Sequence, residues 1–66
     1  MIVTTPNPLA EHRFEQSMLV ATLMERLDLN LEGHLVICNG TLVTRRDLLR
    51  VGDKVEIRRV ISGGAQ

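Results

Sequence analysis

His34-Leu35-Val36-Ile37-Cys38-Asn39-Gly40-Thr41-Leu42-Val43 is the stretch on which the fold turns. A nearly unbroken apolar run meets Asn-Gly, and a second β-prone run follows. Both turn residues accept the positive φ of a type I′ turn, so the pattern predicts a hairpin. A strand that is apolar on both faces belongs inside a sheet, and another element must cover it. The cover lies just upstream. Val20, Leu23, Met24 and Leu27 follow the i, i+3, i+4, i+7 spacing of one helical face. This predicts one long helix, opened by Ser17 as N-cap and stopping near Asp28 to Asn30, with Gly33 closing the loop that follows.

Further out on the N-terminal side, Met1 to Thr5 are β-branched or apolar and read as a first strand, turned by Pro6-Asn7-Pro8. His12 to Gln16, carrying Phe14, return as a second strand. On the C-terminal side, Arg45 to Leu49 read as a short helical turn and Val51-Gly52-Asp53 as a tight turn. Lys54 to Arg58 then alternate, with Val55 and Ile57 inward. The alternation stops at Val60-Ile61, and Ser62-Gly63-Gly64-Ala65-Gln66 follow. The order is β-β-α-β-β-β. It predicts an α+β domain over residues 1–61, with a mixed sheet of four to five strands covered on one face by the helix. The first and last strands are expected side by side at the sheet centre, which is the β-grasp, or ubiquitin-like, architecture. Residues 62–66 form a thin tail, because a glycine pair packs nothing and favours no strand.

At 66 residues the chain is near the lower limit for folding without disulfides or metals. Phe14 is its only aromatic residue, so the core must be aliphatic. Eight basic and eight acidic residues cancel, which argues against a general nucleic-acid binder. Arg45, Arg46, Arg50, Arg58 and Arg59 nevertheless concentrate positive charge in the C-terminal half. One cysteine excludes an intrachain disulfide and the usual zinc quartets, and fits a reducing cytoplasm. No signal peptide pattern is present, and no apolar run approaches the roughly 20 residues that span a bilayer. A soluble cytoplasmic protein with no membrane partner is the expectation. Cys38 reads as a core residue of its strand. His12 and His34 have neither the spacing of a metal site nor a nucleophile beside them. With no acid/base pair and no activated nucleophile, the chain is not expected to be an enzyme or to carry a cofactor.

Three segments in order, Asn39-Gly40 after an apolar strand, Gly52-Asp53-Lys54-Val55-Glu56-Ile57, and Val60-Ile61-Ser62-Gly63-Gly64, resemble the ThiS/MoaD group of ubiquitin-like sulfur carriers. The likeness is clearest from Leu35 to Gly64. It implies a carrier whose terminal glycine carboxylate is adenylated by an E1-like enzyme. A sulfur donor then converts the adenylate to a thiocarboxylate, which an acceptor synthase consumes. Carried over, the reactive carbonyl is that of Gly64, and Gly63 keeps the tail slim. A carboxylate becomes a useful electrophile only with a leaving group attached, and a side chain beside it would obstruct a narrow channel.

The chain departs from the family pattern at Ala65-Gln66, where the free carboxylate should be. The resemblance therefore implies a precursor, trimmed after Gly64 by a JAMM-type zinc metalloprotease. Arg58 and Arg59 precede the tail and suit an acidic patch on the activating enzyme. Val60, Ile61 and Leu42 suit docking, since one of the adjacent pair Val60-Ile61 must face away from the helix. The short chain and its Val-Ile-Ser-Gly-Gly ending lean to the thiamin-type carrier. Carriers for tRNA thiolation or molybdopterin synthesis, a modifier conjugated to lysines, and a β-grasp binding module are the alternatives.

Overall fold

A computed structural model of the chain describes residues 1–6 and 8–60. Among these residues seven strands and one α-helix follow in the order β1 (Ile2–Thr5), β2 (Ala10–Arg13), β3 (Met18–Leu19), α1 (Val20–Arg26), β4 (His34–Cys38), β5 (Thr41–Val43), β6 (Leu48–Leu49) and β7 (Lys54–Arg59), with a single 3-10 turn at Leu31–Gly33 before β4. Five of the strands form one mixed sheet in the order β2-β1-β7-β4-β5, while β3 and β6 pair separately. β1 and β7 run parallel at the centre, with Val3 opposite Val55, and every other pairing is antiparallel. The first and last strands therefore lie side by side, as expected for a β-grasp.

The hairpin forms as its sequence requires. Asn39 and Gly40 have φ of 51° and 85°, and Cys38 faces Thr41 across the turn. A two-residue turn fixes the register, so Ile37 is paired with Leu42 and Val36 with Val43. Gly52 takes φ 99° in the turn before β7, and a Cβ there would meet no atom within 4 Å. Gly52 thus answers a backbone need and not a packing one.

The aliphatic core joins Val3, Val36, Val55 and Ile57 from the sheet to Val20, Leu23 and Met24 from the helix, with Met18 and Leu49 closing one side. Val3, Val20, Leu23, Leu49 and Val55 have no exposed surface. Phe14 and Leu27 pack against this cluster at its edge.

Four local expectations are corrected. The helix is a seven-residue segment and not a long one, and Ser17 is exposed and does not cap it. The residue at the N-cap is Leu19, and the amides of Val20 and Ala21 donate instead to the carbonyls of Asp47 and Arg45 at 3.0 and 3.1 Å. Those carbonyls satisfy donors that a serine hydroxyl would otherwise serve. The helix ends in a Schellman arrangement. Asp28 takes φ 57°, its amide donates to Glu25, and the Leu29 amide donates to Met24. Arg45 to Leu49 do not form a helical turn, because β6 pairs Leu49 with Met18 and Leu48 with Leu19. The second strand spans Ala10–Arg13 and not His12 to Gln16, and Phe14 continues it by donating its amide to the Met1 carbonyl and accepting from the Met1 ammonium.

Candidate functional site

β7 delivers the chain toward the Gly-Gly segment, so the surface around its end is the natural place to look. Lys54, Glu56 and Arg58 point to the face of the sheet away from the helix, and Val55 and Ile57 point into the core. The β4–β7 register runs from Cys38 opposite Val55 to His34 opposite Arg59. The Val60 amide continues it by donating to the Gly33 carbonyl at 2.9 Å. Val60 therefore shares the outward face with Arg58 and is exposed.

Leu35 stands opposite Arg58 on that face, and Ile37 stands opposite Glu56 and Leu42. Leu42, Ile37, Leu35 and Val60 consequently form a diagonal apolar strip across β5, β4 and the residue that follows β7, because diagonal cross-strand neighbours remain within side-chain reach. Leu42 is 61% exposed and Leu35 44%, while Ile37 is half-buried. Sequence reasoning singled out Leu42 and Val60 but missed Leu35 and Ile37. The signal was available: with the Asn-Gly turn fixing Ile37 against Leu42, parity places Leu35 on the same face.

The two arginines before the tail are not brought together. Arg58 lies on the strip's face, and its Nε donates to Glu56 Oε2 at 2.8 Å. Arg59 has the opposite parity, across from His34. An exposed pair such as Glu56–Arg58 contributes about 0–1 kcal/mol, so it can be exchanged for a partner's carboxylate at little cost. His34 is held by its own loop, with Nδ1 donating to the Asn30 carbonyl at 2.7 Å. Ile61, Gly63 and Gly64, together with Ala65 and Gln66, lie outside the described residues.

A clasp ties the two turns at the other end of the strip. Asp53 accepts from the Arg50 amide at 2.9 Å, from Asn39 Nδ2 at 3.1 Å and from Cys38 Sγ at 3.3 Å. Asn39 Oδ1 in turn accepts from the Lys54 amide at 3.0 Å. Cys38 is half-buried and packs against the core, with burial and then Asp53 pushing its thiol up. A thiol held neutral in this way is a poor nucleophile.

Beside the helix, a cleft of about 500 Å³ is floored by Ala21, Met24, Leu29 and Leu31 and rimmed by Glu25, Glu32 and Arg45. It contains no nucleophile with a base beside it. Among the described residues, no group of three His, Cys, Asp or Glu side chains is placed to hold a metal ion. No helix among them is long and apolar enough to cross a membrane.

The described residues thus form a β-grasp sheet with an exposed aliphatic strip, and Gly63-Gly64 follow in the sequence. The ThiS family model matches residues 2–64. The chain belongs to the ThiS family. Members of the ThiS family are small ubiquitin-like sulfur carriers that work with E1-like enzymes and synthases, not catalysts themselves. The match spans all seven strands and the helix, and it ends at the second glycine of the tail. No curated protein matches the chain at a significant level.

Proposed function

We propose that this chain is a thiamin-type sulfur carrier that works through the Gly64 carboxyl group after Ala65 and Gln66 have been removed. The observation that carries this reading is the family match, which runs through Gly63-Gly64 and stops before Ala65. A JAMM-type protease hydrolyses the Gly64–Ala65 bond and frees the carboxylate. That carboxylate attacks the α-phosphorus of ATP in an E1-like enzyme, and pyrophosphate leaves. Hydrosulfide then adds to the acyl-adenylate carbon and AMP leaves, so that a thiocarboxylate remains for the acceptor synthase. Gly63 and Gly64 supply a segment without side chains that fits a narrow channel. The folded part supplies the recognition.

Leu42 and Val60 from the exposed strip, with Ile61 beyond it, dock on the activating enzyme. Arg58 meets a carboxylate there in exchange for Glu56, and Arg59 contributes from the sheet's other face. Aliphatic anchors surrounded by a charged rim are a common form of transient interface.

The test compares two chains, one ending at Gly64 and one ending at Gln66, each given an E1-like enzyme, ATP and sulfide. The shorter chain should gain the mass of an oxygen-to-sulfur exchange, and the longer should not. Conversion of neither chain, across several such enzymes, would remove the carrier reading. Equal conversion of both would remove the need for trimming.

A further inference from the structure

The two edges of the five-stranded sheet differ in how many main-chain groups they leave free. β5 forms one edge. Cys38 and Thr41 pair across the two-residue turn, so alternation turns the amide and carbonyl of Leu42, and then of Thr44, outward. Asp47 closes off the second of these. The Thr44 amide donates to Asp47 Oδ2 at 2.6 Å, and the Thr44 carbonyl accepts from the Asp47 amide at 3.0 Å.

β2 forms the other edge, and it stays open. The Phe14 amide donates to the Met1 carbonyl at 2.9 Å, and the Met1 ammonium donates to the Phe14 carbonyl at 2.8 Å. In an antiparallel ladder, pairs that exchange bonds alternate with pairs that do not. Val3–His12 and Thr5–Ala10 are therefore bonded pairs, and Ile2–Arg13 and Thr4–Glu11 are not. Glu11 and Arg13 consequently aim their amides and carbonyls away from β1, where no other strand among the described residues pairs with β2.

The side chains of this edge carry a second pattern. His12 stands opposite buried Val3 on the core side, with Nε2 3.2 Å from Thr5 Oγ1. Glu11 and Arg13 have the opposite parity, and both are exposed on the open face. The only ion pair among the described residues is Glu56–Arg58, so neither charge is paired within them. Charges usually guard an edge strand, and a guard of one sign repels a second copy. Here the sign alternates along the strand.

We infer that β2 is a pairing edge for a second copy of this chain, joined antiparallel about a two-fold axis at His12. In this register Glu11 of each copy stands opposite Arg13 of the other. The same two residues exchange main-chain bonds, because both aim their free groups across the junction. Centring the axis on Glu11 would oppose two carboxylates, and centring it on Arg13 would oppose two guanidinium groups. Directly opposed like charges destabilise a strand pair, so charge selects the register at His12. The contact is isologous, and the two sheets become one continuous sheet. Leu35 and Leu42 of both copies stay uncovered, on the strands farthest from the junction. Nothing in this pairing draws on the carrier reading.

Sedimentation of the full chain from about 10 µM to about 1 mM tests the pairing, because so short an interface is populated only at high concentration. The expected result is a monomer–dimer equilibrium that weakens with salt, with amide exchange at Glu11 and Arg13 slowing as concentration rises. Glu11→Arg and Arg13→Glu should each weaken the dimer about tenfold or more, since each sets like charges opposite one another twice. Mixed in equal amounts, the two variants should pair about as tightly as wild type, because each supplies the charge the other lacks. Circular dichroism and the melting transition check that each variant folds. A chain that stays monomeric at about 1 mM would overturn the proposal. A dimer that neither variant weakens would place the contact on another surface, the exposed strip if Leu42→Asp abolishes it, and would overturn the proposal as well. A mixture no tighter than its two components would refute the register.

Discussion

Asp53 holds two turns with one carboxylate, and it makes the stability of the fold depend on pH. The Arg50 amide, then the Asn39 side chain and the Cys38 thiol, hold its carboxyl below the usual carboxylate range. An unfolded Asp titrates near 3.9, above the folded value, so the clasp's contribution is full above about pH 4 and disappears as pH falls through the folded pKa. In urea titrations, Asp53→Ala should be less stable than wild type near neutrality, and the gap should narrow as the medium becomes more acid than about pH 4. A gap that stays constant down to the acid limit would show that the carboxylate's charge is irrelevant. Burial, then Asp53 and Asp47, push the Cys38 thiol up, and the same substitution removes the Asp53 share. Alkylation of Cys38 at mildly alkaline pH should therefore quicken in Asp53→Ala, beyond any rise explained by global unfolding.

The elements that sequence legibility reached were those fixed by local chemistry. Asn39-Gly40, the alternation around Val55 and Ile57, and the apolar face of Val20, Leu23 and Met24 each dictate their own conformation, and each formed as expected. The errors arose where distant residues decide. Ser17 has the right chemistry for a cap, but the Arg45–Asp47 loop reaches the helix first and supplies its carbonyls. Leu48 and Leu49 form a strand only because Met18 and Leu19 pair with them, a contact no local window can reveal. The open face was half visible: Leu42 and Val60 were found, while Leu35 was hidden inside a run that reads as buried throughout. The short ribbon has a measurable consequence. Leu49 has no exposed surface and anchors β6 to the core. Leu49→Ala should therefore cost about 2–5 kcal/mol, read as a lower urea midpoint with an unchanged m-value. A loss below about 1 kcal/mol, the range of surface substitutions, would mean that the ribbon is dispensable.

The molecule as a whole separates what holds it together from what it presents. Its core faces the helix and the β3–β6 ribbon, while the opposite side of the sheet has no covering element among the described residues and keeps Leu35 and Leu42 in solvent. Exposing aliphatic side chains that add nothing to the core makes sense if a partner covers them. Removing them should then separate function from stability. Leu35→Asp places a carboxylate beside Arg58 and deletes the centre of the strip, without touching the residues that fill the core. The melting transition should shift little, because the side chain is already 44% exposed and substitutions at such sites fall within about 0.5 kcal/mol. Adenylation of the chain ending at Gly64 should suffer far more. The carboxylate would be desolvated on docking with no matching cation in the enzyme, at a cost of about 1–3 kcal/mol, or roughly fivefold to 150-fold in kcat/KM. The loss should appear mainly in KM, since Leu35 lies on the domain and the proposed reacting residue is Gly64. Leu42→Asp, at the far end of the strip, should give a smaller effect in the same direction. Unchanged kcat/KM in both variants would mean that the activating enzyme grips only the tail. Equal losses of stability and activity would mean that the strip belongs to the fold after all.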